Sequence, residues 1–330
     1  MKNILLLLLF CVLISCKNEK SSNTYSYNLK ASEIIKSFVL DSDVKYNAFY
    51  LYTFSDDKGK EYLTFLNYRT NQILFYDLET TDFLFKLNLN SEGPHGVVQP
   101  TGLYVKDLNH IYVSSYAYSG LMRVDTTCHI IQKIPYGITS KGYNVLPSYT
   151  PSSHPYIAPV IIDKKIYITQ NAIDRFHPIV DTPLSVVIDT VQKSCEDLPL
   201  TYGILTEKEL AIKDPRFSRV FNGKEFIYSF YVSEDIVVTS VDHSEVKKIS
   251  VKSKYLDSPI VKQEVSERGP QLNLELARYG DLIYDPYREV YYRFVYPKTT
   301  LEDNIRWWGK SVYGRKKFSV IILNKDFQII

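Results

Sequence analysis

Neither sign of charge is in excess in this chain: 39 Lys and Arg stand against 37 Asp and Glu over 330 residues, a formal net of +2. That balance argues against nucleic-acid binding driven by a global positive field. Glycine is scarce at 13 and methionine scarcer at 2, whereas Tyr reaches 28 beside 16 Phe and 2 Trp. Few glycines and many tyrosines favour strands over helices. Tyr is spread over the whole chain, as sheets use it; a subset lining a sugar- or peptide-binding face is the functional alternative. No HExxH, CxxC, GxSxG, Walker or GxGxxG pattern occurs. His95, His110, His129, His154, His177 and His243 stand singly, none with a His or Cys at ligand spacing, so neither a metal nor a cofactor is expected. Asp56-Asp57-Lys58-Gly59 lacks the alternating oxygens of a calcium loop and reads as an exposed turn.

The apolar run Ile4 to Ile14 follows a short basic start, Met1-Lys2-Asn3, and is too short to span a bilayer comfortably. It closes on Leu13-Ile14-Ser15-Cys16, which resembles a bacterial lipobox. That motif implies a lipoprotein signal peptide over 1–15 and a mature chain that starts at Cys16. The residue then carries acyl chains, palmitate among them, and several chains on one residue give stable attachment. An ordinary secretory signal with a chance Cys is the competing reading. Lys17 to Asn28 is polar, so 16–30 reads as the lipidated Cys and a flexible tether, with the folded domain over 31–330. The expected location is the outer membrane, facing the periplasm or the cell surface. Lys17, Asn18 and Glu19 resemble a charged surface-export tag, but with a single acid. Cys11 leaves with the signal. Cys128 and Cys195 remain in an oxidising compartment, each after the same kind of turn in a different repeat, and read as two free thiols.

Residues Glu61 to Leu89 read as three short strands joined by tight polar turns. Weaker copies recur: an apolar run, an Asp or Asn, a few polar residues, then another β-prone run. The cue ends at Asp77, Asp125, Asp189, Asp242 and Asn324. The Asp or Asn suits a turn because its side chain hydrogen-bonds the backbone ahead. A period near fifty with three or four strands per unit fits propeller blades, and runs apolar at consecutive positions fit strands covered on both faces. A β-sandwich would alternate more cleanly. The expected fold is thus all-β, a β-propeller. Thr206-Glu207-Lys208-Glu209 marks one short capped helix. Glu92-Gly93-Pro94-His95-Gly96 reads as a rigid turn between blades, and Tyr284-Asp285-Pro286-Tyr287-Arg288 as a hairpin connection. A buried Arg–carboxylate pair is one role open to Arg293.

Several segments together resemble the Bacteroidetes lipoproteins of domain of unknown function family 4221. They are Glu61-Tyr62-Leu63 with Asn67, Ile73 to Asp77, Glu92 to Val97, Pro215-Arg216-Phe217-Ser218, Gly223 to Phe230, and Tyr279-Gly280 through Tyr291-Tyr292-Arg293. The resemblance implies a six-bladed, propeller-like lipoprotein and implies no activity. Five units are legible here, so the last blade is expected to be lacking, with exposed sheet faces and poor solubility as the consequence.

Two segments outside the repeat are candidate binding loops, Tyr149 to Pro159 and Leu301 to Gly314. Their candidate ligand residues are Tyr149, His154, Arg306, Trp307 and Trp308. Sugar rings stack on Trp, and Arg donates to hydroxyls or a carboxylate. A Trp that merely covers the core edge is the plainer alternative. The expected role is noncatalytic binding or scaffolding of a glycan, peptide or partner protein, with the membrane reached through the lipid anchor. A hydrolase or lyase in the propeller channel is the alternative. It would gather carboxylates, His or Arg at one channel mouth, where a binder would show exposed aromatics.

Overall fold

A strand that is apolar at consecutive positions is stable only when both of its faces are covered. Strand β2 (Glu61–Asn67) is of that kind, and every residue after Glu61 is buried. It lies between β1 (Tyr52–Ser55) and β3 (Gln72–Asp77), and β4 (Phe83–Asn88) completes an antiparallel sheet. A computed structural model describes residues 33–40, 42, 44, 51–67, 69–115, 117–140, 142, 157–170, 178–210, 216–256, 277–298 and 317–330.

Four more meanders of the same kind follow. The second holds β5 (Pro100–Asp107), β6 (His110–Ser115), β7 (Tyr118–Val124) and β8 (Ile130–Pro135). The third holds β9 (Val160–Ile162), β10 (Lys165–Thr169), β11 (Ser185–Asp189) and β12 (Ser194–Asp197). The fourth holds β13 (Phe217–Phe221), β14 (Phe226–Phe230), β15 (Asp235–Thr239) and β16 (Val246–Ser250). The fifth has β17 (Arg278–Asp285), β18 (Val290–Tyr296) and β19 (Ser319–Leu323), and Leu323 makes an isolated antiparallel bridge to Ile329. The predicted capping box is present. Thr206 N–H donates to Glu209 Oε2 at 2.7 Å, Glu209 N–H donates to Thr206 Oγ1 at 3.3 Å, and α1 (Glu207–Leu210) follows.

Alternation along each strand sends successive side chains to two different neighbours. In β3, Ile73 and Phe75 join Leu103, Val105 and Ile111 of the second sheet, while Leu74 and Tyr76 face the other way. Three further cores repeat the pattern. Tyr112, Leu121 and Ile134 meet Ile166, Ile168 and Val186; Tyr167, Leu184 and Leu198 meet Phe217, Phe226 and Tyr228; Val220, Ile227 and Ile236 meet Tyr279, Leu282 and Tyr291. Sheets thus stack face to face in chain order as five propeller blades within the unit Ile34–Ile329. First strands approach one another, β1 to β5 and β13 to β17, and fourth strands such as β16 are exposed.

No core among the described residues joins blade 5 to blade 1. Among the described residues, the first face of blade 1 packs on Phe38, Val44 and Leu78. The last face of blade 5 presents Tyr292, Phe294, Val320 and Ile322 half-buried, with Ile283 at 37% and Phe318 at 56% exposure. The arrangement fits a propeller lacking a final blade, as the repeat count predicts.

The two rims differ. Turns between first and second strands, and between third and fourth, are short, and most are closed by a single Asp or Asn. Asp77 Oδ1 accepts from Glu79 and Thr80 N–H, Asp125 from Thr127 and His129, Asp189 from Val191 and Gln192, and Asn324 from Asp326 and Gln328. Asp56, Asn222 and Asp285 do the same between first and second strands. In an up-and-down meander all these turns fall at one end. Connections between second and third strands, and from blade to blade, fall at the other, and the long ones are all there: β8 to β9, β10 to β11, β12 to β13, β16 to β17 and β18 to β19.

Two arginines tie neighbouring blades together. Arg219 of β13, fully buried, donates through Nη1 to Ser185 Oγ at 2.9 Å and through Nη2 to the carbonyls of Ala158 and Tyr167 at 3.0 Å. Arg293 of β18 donates to Ser229 Oγ at 2.9 Å and to the carbonyls of Ser233 and Glu234 at 2.7 Å and Val251 at 3.1 Å. Arg293 is therefore not half of a buried Arg–carboxylate pair. Main-chain carbonyls at the β14–β15 turn solvate it, because a charge that leaves water must be matched by oriented dipoles. Cys128 and Cys195 are both free, as expected.

Candidate ligand-binding site

Among the described residues, the long-loop rim carries a cluster of charged and aromatic side chains where blades 4 and 5 meet. It is built on the β14–β15 turn. Arg293 holds that turn from beneath through its carbonyls. Tyr231, in the turn, is fixed by its own backbone: its N–H donates to Arg216 carbonyl and its carbonyl accepts from Tyr279 N–H, both at 3.0 Å. Tyr231 is 9% exposed, and two guanidiniums stand over its ring, Arg216 at 5.4 Å and Arg278 at 5.3 Å from the centroid. Arg278 also stands 5.6 Å from the ring of Tyr296, its partner across the β17–β18 ladder.

A β-bulge delivers the acid. The β17–β18 register shifts between Tyr279 and Leu282, leaving Gly280 and Asp281 as the irregular pair. Tyr279 and Leu282 consequently both point into the blade 4–5 core, and Asp281 accepts a hydrogen bond from the Tyr231 hydroxyl. Bulges re-aim side chains in this way. Gly280 is required at this place: the Tyr296 ring lies against it where a Cβ would stand. Among the described residues the result is two guanidiniums over the Tyr231 ring, with Tyr296 and the Asp281 carboxylate beside them. Such a set binds anionic or hydroxylated groups.

None of the residues singled out from sequence falls in this cluster. Tyr149, His154, Arg306, Trp307 and Trp308 lie outside the described residues, as does Cys16. The first five do belong to the β8–β9 and β18–β19 connections, which leave from the same rim. Sequence reasoning missed Arg216, Tyr231, Arg278, Asp281 and Tyr296. The signals that the sequence offers are the segments Pro215 to Ser218 and Tyr279-Gly280, which carry the family resemblance. His95 and His129, sequentially remote, come together with ring centroids 4.8 Å apart. His95 Nδ1 already accepts from Ile130 N–H at 3.1 Å, and no group of three potential ligands occurs among the described residues. In the inter-blade turn at Glu92 to Gly96, Gly96 N–H donates to the Gly93 carbonyl at 3.0 Å. On the turn rim, an open cleft of about 610 Å³ between blades 3 and 4 is lined by Ile162, Lys164, Lys165, Tyr167 and Val241.

Comparison with known proteins agrees with this architecture. The chain resembles a solved member of the DUF4221 family from Bacteroides vulgatus, at TM-score 0.70 and 24% identity over 89% of this chain and 83% of that one. It also resembles a Bacteroides fragilis protein described as exported, at TM-score 0.51 and 10% identity over 88% of this chain and 73% of that one. No described helix is long and apolar enough to cross a membrane. No curated protein matches the chain. The model of the family described as domain of unknown function (DUF4221) matches residues 26–330, and the chain belongs to that family.

Proposed function

We propose that this protein is a lipid-anchored, extracytoplasmic binding propeller whose ligand sits on the long-loop rim, at the Arg216–Tyr231–Arg278 stack. The asymmetry of the rims carries the reading. One end of every blade is closed by tight, self-satisfied Asx turns, whereas all the long connections and the charged aromatic cluster share the other end. Ligand-contacting residues concentrate on loops held by a rigid scaffold. Trp307, Trp308, Arg306, Tyr149 and His154 are proposed as further contacts from the connections at that rim, and Cys16 as the acylated anchor in the outer membrane.

The hydrolase alternative has less support. Paired-carboxylate hydrolysis needs two acids, and the cluster as described contributes Asp281, already engaged by Tyr231. The test is binding of a glycan and peptide panel to the intact protein and to Trp307→Ala, Trp308→Ala and Tyr231→Ala. Binding that weakens in these variants while the unfolding midpoint holds supports the rim. Ligand turnover abolished by Asp281→Asn would make the protein an enzyme instead. Fatty-acid label in the wild type but absent from Cys16→Ala supports the anchor, and equal labelling of both refutes it.

A further inference from the structure

The turns of the opposite rim are tight, yet the seam between blades 3 and 4 stays open there as the cleft of about 610 Å³. We infer that this cleft is a second ligand site, and that it takes a short peptide segment through one uncharged aliphatic side chain. The inference is independent of the long-loop rim. Its volume falls in the range of small-ligand clefts, roughly 300 to 1,000 Å³. Strand alternation sets the lining. Lys165 stands in register between Ile162 of β9 and Asp189 of β11, and these three share the side of the sheet from which Tyr167 and Val187 enter the blade 3–4 core. Val241, from the β15–β16 turn, faces them from blade 4. Ile162 and Val241 are half-buried, and Val191 at 62% exposure adds a third aliphatic wall. Aliphatic surface of this kind gains by taking an apolar group out of water.

The Tyr167 hydroxyl argues for a ligand that brings an acceptor. Tyr167 lines the cleft, is 7% exposed, and has its ring packed on Phe226 at 5.6 Å between centroids. Arg219 holds its carbonyl, but among the described residues no hydrogen-bond partner reaches its hydroxyl. Burial first, then the carboxylates of Asp242 and Asp163 in the turns, raise its pKa, so the hydroxyl keeps its proton and can donate. Leaving such a group unpaired is costly, and a peptide carbonyl satisfies it. Charge argues for an uncharged side chain. Lys164 and Lys165 line the cleft against Asp163 and Asp189, with neither sign in excess. The N–H groups of Gln192 and Val191 hold Asp189 as a carboxylate. A ligand group of either sign meets a like charge here, and an aliphatic one meets none. A sugar is the poorer fit. Of the residues lining the cleft, Tyr167 alone is aromatic, and its ring is committed to the core, so no aromatic face is left for a sugar to stack on.

The experiment is fluorescence anisotropy on the full chain in detergent, with a dye-labelled, end-blocked pentapeptide of Gly and Ser around one central residue: Leu, Gly, Asp or Lys. The variants are Tyr167→Phe, Val191→Asp and, on the long-loop rim, Tyr231→Ala. The Leu peptide should bind at least about fivefold more tightly than the other three. Tyr167→Phe should weaken it roughly threefold or more at an unchanged unfolding midpoint, since the lost hydroxyl has no partner in the folded protein. The exposed Val191→Asp should weaken it by a similar factor, and decides the matter should Tyr167→Phe fail to fold. Tyr231→Ala should match the wild type. A loss in Tyr231→Ala with none in Val191→Asp moves the peptide to the long-loop rim and overturns the second site. Leu and Gly peptides bound alike, or no peptide bound at millimolar concentration, overturns it as well. An Asp or Lys peptide bound more tightly than the Leu peptide overturns the uncharged assignment. Maltotriose bound more tightly than the Leu peptide, and weakened by Val191→Asp, overturns the peptide in favour of a sugar.

Discussion

At the scale of single residues, burial without a counter-ion is the recurrent theme. Arg293 gives hydrogen bonds to one hydroxyl and to carbonyls of the β14–β15 turn, and its guanidinium lies 3.9 Å from the centroid of the Tyr279 ring. Burial pulls its pKa down to about 10, so it remains charged at neutral pH. Arg293→Ala should therefore cost at least ~3 kcal/mol, because it strands several buried carbonyls at once. Urea unfolding measures this, and Arg293→Lys should be only partly better, since an ammonium cannot span the same acceptors. The second case is a proton chain. His243 Nδ1–H donates to Val241 carbonyl at 3.2 Å, so Nε2 accepts from the Tyr228 hydroxyl at 2.5 Å; Tyr228 accepts from Ser185 at 2.7 Å, and Ser185 from Arg219. Burial first, and the nearby Arg219 charge second, push His243 down to about 4. Between pH 6.5 and 4 the unfolded chain binds a proton that the folded one refuses. Stability should therefore fall as pH falls through that window, by on the order of 3 kcal/mol, and this contribution should level off below it. Unfolding at pH 7, 5.5 and 4 tests this: His243→Gln should flatten most of the slope, and an unchanged slope would assign the loss to other groups.

At the scale of elements, the strands and the turns were legible to different degrees. The Asp or Asn cue marks the turns because its mechanism is local: the side chain caps N–H groups two to four residues ahead. Second and third strands were legible as apolar runs for the reason that stacked blades cover them twice. First strands were harder. β1 and β9 are four and three residues long, and β5 opens on Pro100 and contains Gly102. The β17 bulge was invisible, since a register shift exists only in the pairing of two strands. It yields its own prediction. Gly280→Ala places a methyl where the Tyr296 ring lies, so the ring must move and Arg278 loses the Tyr296 wall beside it. The expected outcome is a destabilisation of about 1–3 kcal/mol together with weaker rim binding. Thermal unfolding read beside ligand titration checks it. A variant that keeps full affinity would show that the Tyr296 wall is dispensable.

At the scale of the whole molecule, four cores join five blades in series, and among the described residues no core joins the two end faces. Blade 5 presents Ile283, Tyr292, Phe294, Phe318, Val320 and Ile322 on one face. Contiguous apolar surface of that kind drives association. The 330-residue chain should therefore self-associate in a concentration-dependent way. Phe318→Glu combined with Ile283→Lys should reduce it without lowering the unfolding midpoint, as analytical ultracentrifugation would show. Monodisperse wild type across the accessible range would mean that this face is covered by some other part of the chain.

The sequence by itself determined the all-β class, the period of the blades, the Asx turns and the capping box of α1, because each is written in residues that interact within a few positions of one another. Only the tertiary structure decided which rim carries the charged aromatic cluster. Arg216, Tyr231 and Arg278 lie on three separate segments, Asp281 is turned toward them by a bulge, and Arg293 is solvated by carbonyls of another blade. Those relations depend on how whole sheets stack, and side chains of ordinary type at unremarkable spacing acquire them only when the blades are in place.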